Sequence, residues 1–280
     1  MKIQFIVVGW HFAHKEFNEN LKKLSDAKIW WNGQLVDDIK DPDPSIPTEL
    51  NVFWSCHQEP TDYIKENFDY KVFFNAAEEC GAYQQAIDYL NLEDDTVCFF
   101  VHDDMIVKDW GFIQICINYL EQGYKVIGNG RDYGDYIDPM GVTNNGIGIS
   151  EDFDGAILKD YVKPENKILF YEPLRIVKVR HSFMCMKYED VKAIGGFEPC
   201  KEAYIPPLFK KDEWCPTDSP HYRGSRGLGS FGNIFPALNC YKMNKLFGVE
   251  RITWLSETYV DSKFLYECQR GGMSDKHPMS

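Results

Sequence analysis

The sequence predicts an α/β protein built on a mainly parallel sheet with helices on both faces. Three observations predict it. Apolar runs of strand length alternate with segments of helical spacing over the first 130 residues. Several of those runs are continuous rather than alternating, as strands covered on both faces require. One of them, Val97-Cys98-Phe99-Phe100-Val101, stops abruptly at His102-Asp103-Asp104, and open α/β sheets bind ligands outside such carboxyl ends.

Each element follows in order. Residues 3–8, apolar but for Gln4, are read as the first buried strand. Phe17, Leu21 and Leu24 recur at helical spacing. After the loop signal Asp41-Pro42-Asp43-Pro44 comes a strand at 51–56. A short strand is expected at 70–74, then a helix at 78–90 with Tyr83, Ile87 and Leu90 on one face. The strand at 97–101 leads to a helix carrying Trp110, Ile113, Ile117 and Leu120 on one stripe, and 125–127 completes the series. Repeated βα units of this kind give a mainly parallel sheet.

Beyond Gly128 the pattern breaks into Gly, Asp, Asn and Tyr until about Lys167. A strand is expected over 175–186, followed by a short helix at 188–194 that Gly195-Gly196 terminates. A second irregular stretch spans 198–229, and Phe231, Ile234, Leu238 and Tyr241 then mark a helix closed by Gly248. Residues 271–280 read as a frayed tail. One continuous domain with long active-site loops accounts for this layout, with 1–130 and 131–280 as its two halves.

Composition narrows the function. Hydrophobic residues make up 44% and aromatics 15% of 280 residues, enough for a sizeable core. A net charge of -13 argues against a nucleic-acid partner. No apolar stretch reaches the roughly 18 residues that a membrane span needs. The first eight residues are too short for a signal peptide, and Gly9-Trp10-His11 follows without a small-residue cleavage site. Nine cysteines, an odd number with no C-x2-C pair, argue against a zinc knot or a disulfide framework. A cytoplasmic, reducing location is therefore expected.

Absent motifs exclude some chemistries. No G-x-G-x-x-G follows the first strand, no G-x-x-x-x-G-K-[ST] occurs, and no G-x-S-x-G elbow occurs. What remains is the acidic strand end. Two adjacent carboxylates there suit a divalent cation and the phosphates it carries. Further along, Arg223 and Arg226 flank a glycine-rich stretch whose backbone can approach a ligand closely, and they are candidates to clamp a diphosphate.

The triplet His102-Asp103-Asp104 resembles the D-x-D site of GT-A glycosyltransferases, in particular the family-2-like group of nucleotide-diphospho-sugar transferases. Asn75 followed by a helix through Gly81 and Ala86, and Asp109-Trp110 after the acids, are similar to flanking segments of that group. So is Ile194-Gly195-Gly196-Phe197-Glu198, which looks like the "iGGFdE" segment beside the acceptor site. The two main matches lie in the right order and cover about the first 200 residues.

The resemblance implies a GT-A, Rossmann-like fold. It also implies a metal-dependent hexosyl- or pentosyltransferase, with a UDP-sugar as donor, a glycan or other hydroxyl acceptor, and inversion. Asp104 would be the direct ligand of Mn2+ or Mg2+, with Asp103 helping to hold metal or sugar and His221 completing the shell. A neutral His102 would hydrogen-bond the nucleotide. The base pocket at the first strand ends would draw on Val8, Gly9, Trp10 and His11, and on Ser55, Cys56 and His57. A general base must deprotonate the acceptor; Asp212, Glu213 and Asp218 are the candidates, although they lie further from the Gly-Gly-Phe segment than the family pattern has them. Two alternatives stand beside this reading: a nucleotidyltransferase, which lacks its glycine- and base-rich loop after the first strand, and a non-catalytic nucleotide- or sugar-binding module.

Overall fold

A computed structural model describes residues 2–9, 18–23, 30–31, 34–35, 49–56, 59–73, 78–103, 105–137, 164–169, 174–198, 227–256 and 264–267. The strands are β1 (Lys2–Gly9), β2 (Trp30–Trp31), β3 (Gln34–Leu35), β4 (Glu49–Cys56), β5 (Asp69–Val72), β6 (Val97–His102), β7 (Met105–Val107), β8 (Val126–Ile137), β9 (Leu174–Val179), β10 (Phe183–Lys187), β11 (Ile252–Ser256) and β12 (Leu265–Glu267). The helices are α1 (Asp62–Asn67), α2 (Glu78–Tyr89), α3 (Phe112–Glu121), α4 (Tyr188–Ala193) and α5 (Gly227–Phe247).

The protein is α/β, with one mixed, mostly parallel sheet flanked by helices. An eight-stranded sheet runs β11-β8-β10-β6-β1-β4-β5, with β9 attached to β8. The pairs β1–β4, β1–β6, β4–β5 and β8–β11 are parallel. Strand β10 enters antiparallel between β6 and β8. The small pairs β7–β12 and β2–β3 stand apart. Among the described residues no helix is long and apolar enough to cross a membrane.

The unbroken apolar runs have a simple cause. Successive strand side chains alternate between faces, and both faces of this sheet are covered. Ile3, Phe5 and Val7 of β1 join Val97, Phe99 and Val101 of β6 in the layer under α3. Ile6 and Val8 join Cys98 and Phe100 in the opposite layer, with Tyr83 of α2 and Leu238 and Tyr241 of α5. Phe5 stacks on Phe99 with ring centroids 4.7 Å apart. The six cysteines of the described residues are buried outside any disulfide among them, where they act as small apolar side chains.

Two elements differ from the sequence-based expectation. The strand expected over 175–186 is interrupted at 180–182, and its two pieces, β9 and β10, follow one another antiparallel along β8. Apolar residues run through both pieces, so hydropathy alone does not expose the break. The break expected from Gly128 comes later, because β8 continues to Ile137. Its polar second half pairs with β9 across a register shift between Asp132 and Asp135, so a tertiary partner overrides weak strand propensity.

The free edge of β9 is covered by side chains of α5. Asn244 accepts from the Val177 N–H at 2.9 Å and donates to the Val177 carbonyl at 2.8 Å. Cys240, one turn earlier, does the same for Val179, with both contacts at 3.3 Å. The helix thereby satisfies backbone groups that an edge strand otherwise leaves open.

Candidate functional site

The ends of β4, β1 and β6 lie side by side. Ser55 pairs with Val8 and Cys56 with Gly9, while Val8 pairs with His102 on the other side. The Asp103 N–H then donates to the Val8 carbonyl at 3.0 Å. The structure thus brings five of the expected site residues, Val8, Gly9, Ser55, His102 and Asp103, into one row. Sheet order reverses here, since β4 lies on one side of β1 and β6 on the other. Such a switch point leaves a crevice outside the strand ends, because the crossover connections diverge to opposite faces.

Asp103 sits in the turn after β6 and is buried, 6% exposed. Burial raises the Cys56 thiol well above its ordinary range, and the charge of Asp103 adds to this ahead of that of Glu59. The Asp103 carboxylate is therefore felt at the end of β4, by a residue of the α3-side layer.

His102 takes the other side. Its ring stacks on Tyr83 with centroids 6.3 Å apart and planes at 29°. Its backbone N–H donates to the Ser182 carbonyl at 3.0 Å. Burial lowers its pKa to about 4, so the imidazole is neutral at physiological pH. Ser55 is wholly buried and its hydroxyl donates to the Ala82 carbonyl of α2 at 3.0 Å. The β4 end is thus tied to the helix behind it.

The Gly195-Gly196-Phe197-Glu198 turn packs against the same layer. Both glycines have positive φ, 72° and 73°, which side-chain-bearing residues adopt at a cost. The Phe197 N–H donates to Gln84 of α2 at 2.6 Å. Glu198 is wholly buried, and its carboxylate meets Lys242 of α5 at 2.9 Å. Lys242 also donates to the Gly196 carbonyl at 2.5 Å, and Asn239 accepts from the Glu198 N–H at 2.8 Å.

Three residues that motif reasoning did not single out as site residues belong to this neighbourhood. Tyr83 looked like one more apolar position on a helix. His181 lay inside an expected strand, and Glu59 lies after β4 with no motif to mark it. Among the described residues neither ring nitrogen of His181 reaches a partner at hydrogen-bonding geometry. Burial lowers its pKa to about 3, nearby His102 adds to this, and the Val179 carbonyl opposes it more weakly.

Trp10, His11, His57, Asp104, Asp212, Glu213, Asp218, His221, Arg223 and Arg226 lie outside the described residues. Among the described residues no three His, Cys, Asp or Glu side chains form a metal-sized group.

No family model matches the chain, and no curated protein does. Its fold is similar to solved structures at low identity. Staphylococcus aureus TarS 1-349 in complex with UDP-GlcNAc is 15% identical, over 100% of this chain and 61% of that one, with a TM-score of 0.43. The same TarS fragment in complex with UDP is 14% identical, over 95% and 60%, with a TM-score of 0.42. Mouse xyloside xylosyltransferase 1, in its apo form, is 9% identical, over 88% and 84%, with a TM-score of 0.35. The chain thus spans about three fifths of the TarS fragment.

Proposed function

We propose that this chain is a GT-A glycosyltransferase that moves a sugar from a nucleotide-diphosphate donor, foremost a UDP-sugar, to a glycan or other hydroxyl acceptor with inversion. One observation carries the reading: Asp103 stands at the switch point of the sheet, hydrogen-bonded through its N–H to Val8. The ordered pair of motifs around His102-Asp103-Asp104 and Gly195-Gly196-Phe197 supports it independently.

A hard divalent cation suits this place, because carboxylate oxygens are its preferred donors. Asp103 and Asp104 would hold Mn2+ or Mg2+, with His221 as a further ligand. When bound, the cation supplies Lewis-acid neutralisation of the diphosphate. The chain's own residues do the rest. The backbone of Val8 and Gly9, with Trp10, His11 and His57, borders the base and ribose. Arg223 and Arg226 draw the diphosphate in. One of Asp212, Glu213 and Asp218 takes the acceptor hydroxyl's proton as the new glycosidic bond forms. His102 contributes a neutral ring behind the strand end.

The test is to incubate the chain with a panel of UDP-sugars and MnCl2 and to follow UDP release, with Asp104→Asn as control. Metal-dependent release that the control loses supports the proposal. UDP binding without hydrolysis or transfer from any donor overturns it in favour of a binding module. No UDP binding under any metal condition overturns both.

A further inference from the structure

Tyr83 touches both chain segments that meet at the end of β6. It is wholly buried on α2. Its hydroxyl donates to the His181 carbonyl at 2.8 Å. Its ring stacks on His102 and meets Phe100 edge-on, with centroids 5.1 Å apart. Phe197, from the Gly-Gly-Phe turn, packs against it at 5.9 Å and against His181 at 6.3 Å. His102 ends β6, and its N–H is held by Ser182 of the same 181–182 turn that Tyr83 grips. One phenol therefore clamps the last residue of β6 to the β9–β10 turn.

Packing alone does not call for the hydroxyl. The neighbours are largely aromatic, and a phenylalanine would fill the same volume. What the oxygen adds is one directed bond to a turn carbonyl, in a dry place where such bonds are strongest. A buried carbonyl that loses its donor is costly, so the bond fixes the turn.

We infer that Tyr83 is a positioning residue: through His102 and the His181 carbonyl it fixes the end of β6, and with it the place from which Asp103 presents its carboxylate. The link to Asp103 rests on the donor-site proposal above. The role of Tyr83 in holding the two histidines does not.

The experiment compares the wild-type full chain with Tyr83→Phe, which deletes one oxygen and keeps the ring. Two measurements are made: imidazole nitrogen NMR signals of His102 and His181, and calorimetric titration with UDP in the presence and absence of MnCl2. Ile87→Val, in the same helix and core layer, calibrates a loss of packing alone. Tyr83→Phe is expected to shift both imidazole signals and to weaken Mn2+-dependent UDP binding about five- to ten-fold, the weight of one hydrogen bond. Ile87→Val is expected to leave both unchanged. Wild-type signals and affinity in Tyr83→Phe overturn the inference, as does an equal loss of affinity in Ile87→Val. If the wild-type chain binds no UDP, the donor-site proposal fails by itself. The imidazole signals then decide: moved signals uphold Tyr83 as the clamp, and unmoved ones overturn it.

Discussion

Lys242 of α5 meets Glu198 at 2.9 Å, and neither side chain has any exposure. The pair joins the Gly-Gly-Phe turn to a helix more than forty residues away. Two desolvated charges of this kind add little net stability, but removing one strands the other. Lys242→Met is therefore expected to destabilise the fold by about 3 to 5 kcal/mol. The double variant Lys242→Met with Glu198→Leu should recover most of that loss. Urea unfolding of the three proteins checks it, and a double variant as unstable as the single one counts against a balanced pair.

Asn244 satisfies both backbone groups of Val177. Asn244→Leu fills the space yet removes the partner of the part-buried Val177 N–H and carbonyl. The expected cost is about 2 kcal/mol, the low end for two unsatisfied groups at roughly 1 to 3 kcal/mol each, because the site is only part-buried. Amide hydrogen exchange should quicken at Val177 ahead of the centre of β1. Equal exchange in both proteins would mean that β9 does not lean on α5.

His181 makes stability depend on acidity. Its pKa falls from 6.5 in the free side chain to about 3 in the fold. Below pH 6.5 the unfolded chain binds a proton that the native chain refuses, so stability falls with falling pH until about 3. One proton corresponds to about 1.4 kcal/mol per pH unit. His181→Gln should remove that slope between pH 6.5 and 4, read from urea midpoints at several pH values.

Asp190 works in the opposite sense. Burial raises its pKa above 3.8, and the Lys125 contact at 2.8 Å offsets this only in part. The native chain therefore holds its proton more firmly than the unfolded one. Stability is present at low pH and declines as pH rises through the raised value. Asp190→Asn should flatten this limb and leave the chain at least as stable at pH 7. A drop in stability at pH 7 would show that the ion pair outweighs the burial.

Asp103→Asn keeps the shape of the side chain and removes its charge. Under the donor-site proposal it should abolish the Mn2+ dependence of UDP binding while leaving the unfolding midpoint within a few degrees. Metal-dependent thermal stabilisation by UDP gives the readout. Unchanged stabilisation would show that Asp103 holds no cation.

The strands were legible where burial on both faces wrote a largely apolar run, as in 3–8, 51–56 and 97–101. The row of strand ends was legible too, because an acidic break after such a run marks a carboxyl edge. The break at 180–182 was not, since the strand pieces on either side of it share one apolar pattern. The second half of β8 was not, since its strand state comes from pairing with β9 rather than from its own residues.

By itself the sequence determined the α/β class, the two apolar layers and the position of His102-Asp103-Asp104 at a strand end. It did so because hydropathy and chain direction are local. Only the tertiary structure decided that His102 turns back onto Tyr83 while the charge of Asp103 is felt across the β1 end at Cys56. The same holds for Glu198, buried against Lys242, and for α5, which completes the edge of β9. Those facts depend on residues dozens of positions apart sharing a dry interior, where an unmet charge or backbone group is too costly to leave.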